Sequence, residues 1–201
     1  DIIKQAMPSI PRCKEHILRE LEEHTYYFQM DFHDTNKYPV LKKTIEEIEQ
    51  KEELVGNKLF YFATMPEHFN VLTHNIAEHK IVKQITDPEE STQAPWHRLV
   101  YEKPFGKDLT SAQLINKSIN QIFHERQIFR IDHYLGKELV GNIAMVRFTN
   151  QIFEPLWNNQ YIESVQIILS EQEGIGSRGQ FYDAHGALKD MVQSHMLQIL
   201  A

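Results

Sequence analysis

The fold is constrained most tightly between residues 59 and 131, where short β-prone runs alternate with helical ones. Leu59-Phe60-Tyr61-Phe62-Ala63 is an unbroken apolar run, as expected of a strand covered on both faces. Thr64 can then cap, and Pro66 can sit in the first turn of, a helix that carries Phe69, Leu72 and Ile76 inward. The polar segment 83–95, with Asp87-Pro88 and Ala94-Pro95, reads as a loop. Arg98 to Glu102 is a second strand. Thr110 and Gln113 form a capping-box pattern, opening a helix that buries Ile115, Ile119, Ile122 and Phe123. Gln127 to Ile131 is a third strand. Strand, helix, strand, helix, strand is a βαβαβ unit, whose strands run parallel. Glu102-Lys103 and Asp132-His133 then fall together at the carboxyl ends of neighbouring strands, the edge at which open α/β sheets bind ligands.

The chemistry concentrates at that edge. Between the third strand and a helix predicted over 137–148, the run Asp132-His133-Tyr134-Leu135-Gly136-Lys137 offers an acid, an imidazole, a phenol and an ammonium. Such groups transfer protons and grip anions; the plain alternative is a solvated polar loop with a capping Asp. A last helix from about Ala187 places Leu188, Val192 and Ile199 on one stripe, and His195 on the same stripe. An inward imidazole needs a partner for each ring nitrogen. It is either a hydrogen-bonded core histidine or, with a carboxylate fixing its tautomer, a base. Asp132 is the candidate carboxylate. Elsewhere the spacing predicts a helix over Ile10–Glu23, a strand at Tyr26–Met30, a helix from Pro39 with Leu41, Ile45 and Ile48 inward, and a strand at Ser164–Ser170 ending at Glu171. Gly174, Gly176 and Gly179 mark a loop without GxGxxG spacing.

Composition excludes several function classes. The 201 residues are 41% hydrophobic and 24% charged, enough for a real core. A net charge of -7 argues against nucleic acid, though not against a small anion. The lone cysteine, Cys13, permits no intramolecular disulfide and suits the cytoplasm. No apolar run reaches 18 residues, and no signal pattern opens the chain, so no membrane partner is expected. His74 and His79 are five apart, with no HExxH and no Cys/His pairing, so no metal site is expected. The first residue is not Met and the sequence stops on an apolar helical pattern, which reads as a piece of a longer chain.

Four motifs stand in order: Glu102-Lys103-Pro104-Phe105-Gly106, Arg130 to Glu138, Ile152 to Asn158, and Asp190 to His195. Together they resemble the glucose-6-phosphate dehydrogenase family, clearly over residues 57–201 and in general layout over 1–56. The resemblance implies an α/β fold: the later part of a Rossmann-like, NADP-binding domain over 1–132, then the start of an α+β substrate and dimerisation domain with an antiparallel sheet over 133–201. It implies oxidation of glucose 6-phosphate to the phosphogluconolactone, with hydride passing to NADP, in a homodimer or homotetramer of the full-length protein. In that scheme His195 is the general base and Asp132 its orienting partner. His133, Tyr134 and Lys137 bind the sugar phosphate, Lys103 touches substrate and cofactor, and Glu171 and Asp190 accept bonds from sugar hydroxyls. Thr64, Met65 and Pro66 match the turn against the cofactor. Two features depart from the family pattern. Its glycine-rich first turn is absent, which predicts poor NADP binding by this piece, and Ser194 stands where the family has Asn. The alternative is a non-catalytic phosphosugar-binding or assembly module that has lost the nucleotide loop.

Overall fold

In the computed structural model, residues 15–87, 89–90, 95–106, 108–170 and 186–201 are described, together with Gly174, Gly176, Gly179 and Asp183. The elements are α1 (Glu15–Glu23), α2 (Lys37–Lys51), β1 (Lys58–Phe62), α3 (Phe69–Glu78), β2 (His97–Tyr101), α4 (Leu109–Asn120), β3 (Ile128–Arg130), α5 (Glu138–Thr149) and α6. α6 is wound as a π-helix over Leu188–Met196 and continues as an α-helix over Leu197–Leu200.

The expected βαβαβ unit is present. The strands lie in the order β1-β2-β3, all parallel, with Phe60 opposite Leu99, Leu99 opposite Ile128, and Tyr101 opposite Arg130. Strands in sequence order joined by crossovers of one hand carry both helices on one face. α3 and α4 accordingly cover the face that presents Phe62, Leu99, Tyr101 and Ile128, and bury Phe69, Leu72, Ile76, Ile115 and Ile119 against it. Tyr101 anchors the centre: its ring packs on Phe62 and Phe69, and its hydroxyl meets Thr73 Oγ1 at 2.7 Å. α2 adds Tyr38, whose hydroxyl donates to the Phe32 carbonyl at 2.8 Å and whose ring stacks on His79.

Several expectations are corrected. β1 is not covered on both faces: Leu59 and Tyr61 are exposed while Phe62 is buried, because the two helices lie on the other side of the sheet. The cap of α4 is Asp108, paired reciprocally with Ser111, two residues before the Thr110–Gln113 pattern. Thr64 caps nothing; Met65 precedes a 3₁₀ turn that Pro66 opens, and α3 follows. Tyr26–Met30 and Ser164–Ser170 are β-prone but pair with no strand among the described residues, and a segment without a ladder leaves its backbone groups to water. The described residues thus form a wholly parallel sheet, and no antiparallel strand appears among them. Leu188 is exposed although His195 is buried. Residues seven apart share a stripe on an α-helix, and the wider turn of i→i+5 bonding separates them. The predicted helix over 10–23 is described from Glu15; Cys13 and Glu171 lie outside the described residues.

Candidate active site

Three elements deliver the site. β2 ends at Tyr101, so Lys103 projects from the turn that follows it. β3 ends at Arg130, and Ile131 N–H donates to the Tyr101 carbonyl at 3.0 Å, which extends the pairing to the doorstep of Asp132. α6 brings His195 across to meet both. π-Helical turns are rare and concentrate at functional positions; here Ser194 Oγ donates to the Lys189 carbonyl at 2.8 Å, five residues back.

His195 is 1% exposed and has a partner on each ring nitrogen. Nδ1 lies 2.7 Å from Asp132 Oδ1, and Nε2 lies 2.7 Å from Lys103 Nζ. An ammonium only donates, so Nε2 is the acceptor in that contact and the ring proton sits on Nδ1, facing the carboxylate. The imidazole is therefore neutral in this arrangement. Its pKa agrees in direction: burial lowers it below the ordinary imidazole value and the Lys103 charge lowers it further, against the opposing pull of Asp132. Asp132 Oδ1 also accepts the Tyr134 N–H at 3.0 Å, which fixes the carboxylate against the turn. Lys103 donates to Asp190 Oδ1 at 2.8 Å and to the Asp190 carbonyl at 3.1 Å. One ammonium thus joins α6 at two points.

The anion-binding candidates stand on the other side of the imidazole. Tyr134 is buried and stacks on His195 with ring centroids 4.0 Å apart; His133 meets His195 edge-on at 4.9 Å. Lys137 Nζ lies 3.7 Å from the Tyr134 ring centroid. Of the expected residues, Lys103, Asp132, His133, Tyr134, Lys137, Asp190 and His195 form one connected cluster. Thr64, Met65 and Pro66 sit apart from it, beyond the end of β1, beside β2 in the sheet. Thr64 Oγ1 is buried there with no hydrogen-bond partner among the described residues, and Met65 is exposed. A buried hydroxyl without a partner is costly unless a ligand supplies one, so this turn fits a bound nucleotide. Asp132, His133 and His195 hold possible ligand atoms within 4.8 Å of one another, but both nitrogens of His195 are already engaged.

A cleft of about 450 Å³ opens beside the cluster, lined by Lys103, Asp132 and Asp190 together with Phe105, Arg130 and Lys189. Sequence reasoning assigned no role to Arg130 and did not foresee that Asp190 accepts from the Lys103 ammonium. Nothing in the spacing signals a contact between residues 87 apart.

Comparison with known proteins agrees with this architecture. Residues 2–142 match the family described as glucose-6-phosphate dehydrogenase, NAD binding domain, and residues 144–201 match glucose-6-phosphate dehydrogenase, C-terminal domain. Glucose-6-phosphate 1-dehydrogenase of Chlamydia muridarum is 42% identical, over 98% of this chain and 39% of its own length. The Bacillus subtilis protein of the same name is 40% identical, over 100% of this chain and 39% of its own length. The chain thus spans about two fifths of these relatives. A solved glucose-6-phosphate dehydrogenase in complex with its substrate glucose-6-phosphate superposes with a TM-score of 0.78 at 33% identity, covering 92% of this chain and 37% of that one. Glucose-6-phosphate 1-dehydrogenase from Mycobacterium avium gives 0.74 at 31% identity, over 98% and 40%.

Proposed function

The chain belongs to the glucose-6-phosphate dehydrogenase family, and from that premise we propose that it carries the catalytic segment of an NADP-dependent enzyme oxidising glucose 6-phosphate to 6-phosphogluconolactone. The observation that carries the reading is the His195 imidazole, buried and neutral, with its Nδ1 proton on Asp132 and its Nε2 lone pair directed outward onto Lys103. In the reaction the anomeric hydroxyl takes the place of the Lys103 ammonium at Nε2 and gives up its proton there. The C–H bond of the same carbon breaks with its electron pair, and the C–O bond becomes the lactone carbonyl. NADP, when bound, supplies the hydride acceptor. Asp132 holds the imidazole in the receptive tautomer and stabilises the imidazolium once it has formed.

Lys103, displaced from Nε2 but still on Asp190, stays beside the sugar and reaches toward the cofactor. His133, Tyr134 and Lys137 present an imidazole, a hydroxyl and an ammonium to the sugar phosphate, and a mixed donor set grips an anion better than one charge does. Glu171 and Asp190 take hydrogen bonds from the sugar hydroxyls. Thr64, Met65 and Pro66 lie against the cofactor, where Thr64 Oγ1 gains its missing partner. We place the division between nucleotide-binding and substrate domains at Asp132–His133, where the parallel sheet ends, with the antiparallel sheet in the second domain. The assembly is a homodimer or homotetramer working in the cytoplasm.

A non-catalytic phosphosugar-binding module is less well supported. Anion binding has no need of a desolvated neutral imidazole with an orienting carboxylate, whereas a base does. The test is turnover of glucose 6-phosphate with NADP by the full-length protein and its His195→Asn variant. Turnover should fall by orders of magnitude while the variant still binds substrate; near wild-type turnover would remove His195 from its role.

A further inference from the structure

The turn that carries Lys103 is held from a point outside the catalytic cluster. Arg130, the last residue of β3, lies opposite Tyr101 in register and folds its guanidinium back over the start of that turn. Its Nη1 donates to Glu125 Oε1 at 2.6 Å, its Nη2 to Glu125 Oε2 at 3.3 Å, and Nη2 also donates to Asn116 Oδ1 on α4. With its edge committed to Glu125 and Asn116, the guanidinium lays its face on Phe105, Cζ 5.1 Å from the ring centroid. Phe105 is two residues past Lys103 and packs edge-on against Tyr101 at 6.1 Å. Gly106 adds a second constraint: at φ +94, a Cβ there would stand 2.6 Å from the Ala112 nitrogen, so this backbone lies flush on the first turn of α4. Arg130 is also two residues before Asp132. One side chain therefore braces the turn of the ammonium and begins the turn of the carboxylate.

An exposed ion pair alone is worth little. A forked Arg–carboxylate pair that also stacks on an aromatic ring is different: it fixes a plane, and lysine cannot replace it. We propose that Arg130 is a positioning residue that, acting through Phe105, keeps the Lys103 ammonium between Asp190 and Nε2 of His195. The inference rests on the reading of His195 as the base. The groups facing that imidazole are Lys103 from the β2 turn, Asp132, His133 and Tyr134 from the β3 turn, and Asp190 from its own helix. Of these, the Arg130 brace governs Lys103 first.

The experiment is the pH profile of kcat/KM for the full-length enzyme carrying Arg130→Met and Arg130→Lys. The acid limb reports the base of the free enzyme. If Lys103 loses its place, kcat/KM falls about tenfold, since small misplacements are costly in catalysis, and the acid limb moves up toward the ordinary imidazole value. Arg130→Lys should behave like Arg130→Met despite keeping the charge. In a Lys103→Met background, Arg130→Met should add less than about twofold, because the two share one pathway. A lowered melting temperature with an unmoved acid limb, or the same tenfold loss in the Lys103→Met background, overturns the proposal and makes Arg130 merely structural. If Arg130→Met does not fold, Phe105→Leu reads the same coupling by the same profile, and an unmoved acid limb there is equally fatal. A fully active His195→Asn would sink the underlying reading instead, an outcome distinct from any of these.

Discussion

Two regions of this chain treat their apolar residues in opposite ways. Around β2, each large side chain has a neighbour of its own kind: Phe69, Leu99, Tyr101 and Ile119 are wholly buried, and Phe105 closes the cluster under Arg130. Along α5 and onward, Leu139, Met145, Phe148, Ile152 and Ile168 are exposed. α5 forms a helix without a single apolar face, because its apolar residues surround it, and such a helix is built to be covered on more than one side. Both regions are equally apolar in sequence. What differs is whether the partner surfaces lie within a few tens of residues. The site rests on the strand ends of this firm first region, which supply Lys103 and Asp132, while His195 and Asp190 reach it from α6 and Lys137 from the start of the exposed stretch. Single substitutions can test that contrast.

The largest effect should come from disconnecting α6 from the sheet. Asp132→Asn keeps the shape of the side chain but turns an acceptor-only group into one that can donate to Nδ1, favouring the wrong tautomer of His195. Turnover in the full-length enzyme should fall about 10³-fold with little change in melting temperature. A fall of less than tenfold would mean that the imidazole finds its tautomer without the carboxylate, and the firm region would lose its catalytic meaning.

Stability sharpens the comparison next. Leu99→Ala, at the buried centre of β2, should cost about 2–5 kcal/mol, because the helices above cannot fully collapse into the space. Leu139→Ala on this same chain removes the same atoms from a side chain that is 76% exposed and should stay within about 0.5 kcal/mol. Urea melts of both variants decide it. Equal costs would mean that α5 is covered in solution and that the contrast drawn here is false. Third comes Lys137→Ala. Lys137 reaches over Tyr134 from the start of the exposed region, so its loss should raise KM for glucose 6-phosphate about tenfold, the worth of one charged hydrogen bond, and leave kcat nearly intact. An unchanged KM counts against phosphate contact there.

The contrast also accounts for what the sequence disclosed. The βαβαβ unit was legible because its hydrophobic periods alternate over short distances and set the inward sides of α3 and α4. Asp108 displaced the Thr110 pattern because two overlapping caps were available, and only the geometry of the Gly106 turn chooses between them. Tyr26–Met30 and Ser164–Ser170 misled because β-propensity describes a residue that suits a ladder and cannot supply the second strand. At the site, Asp132 and Lys103 were legible as strand-end residues and their meeting with His195 followed from the family resemblance. The bond from Lys103 to Asp190 was not, since the π-helical turn that sets the rotation of α6 leaves no mark in the residue spacing.

The smallest effect is a pH dependence, and its sign follows from the burial of His195. The folded pKa lies below that of the unfolded chain, so in the window between them the unfolded chain binds more protons. Stability therefore rises with pH through that window: the contribution is complete above the unfolded value of about 6.5 and is lost as pH falls through the folded value. His195→Asn removes the titrating group and keeps a hydrogen-bonding side chain. Urea melts at about pH 5 and about pH 7 should show wild type losing more stability on acidification than the variant does. Whatever the other ten histidines contribute is common to both proteins and cancels in the difference, including the contribution of His97, which burial also holds below its ordinary value. An identical loss in both proteins would mean that the imidazole accepts a proton in place. Lys103 would then already have left Nε2 in the resting protein, and the firm region would be looser at its most important contact than the sheet that supports it.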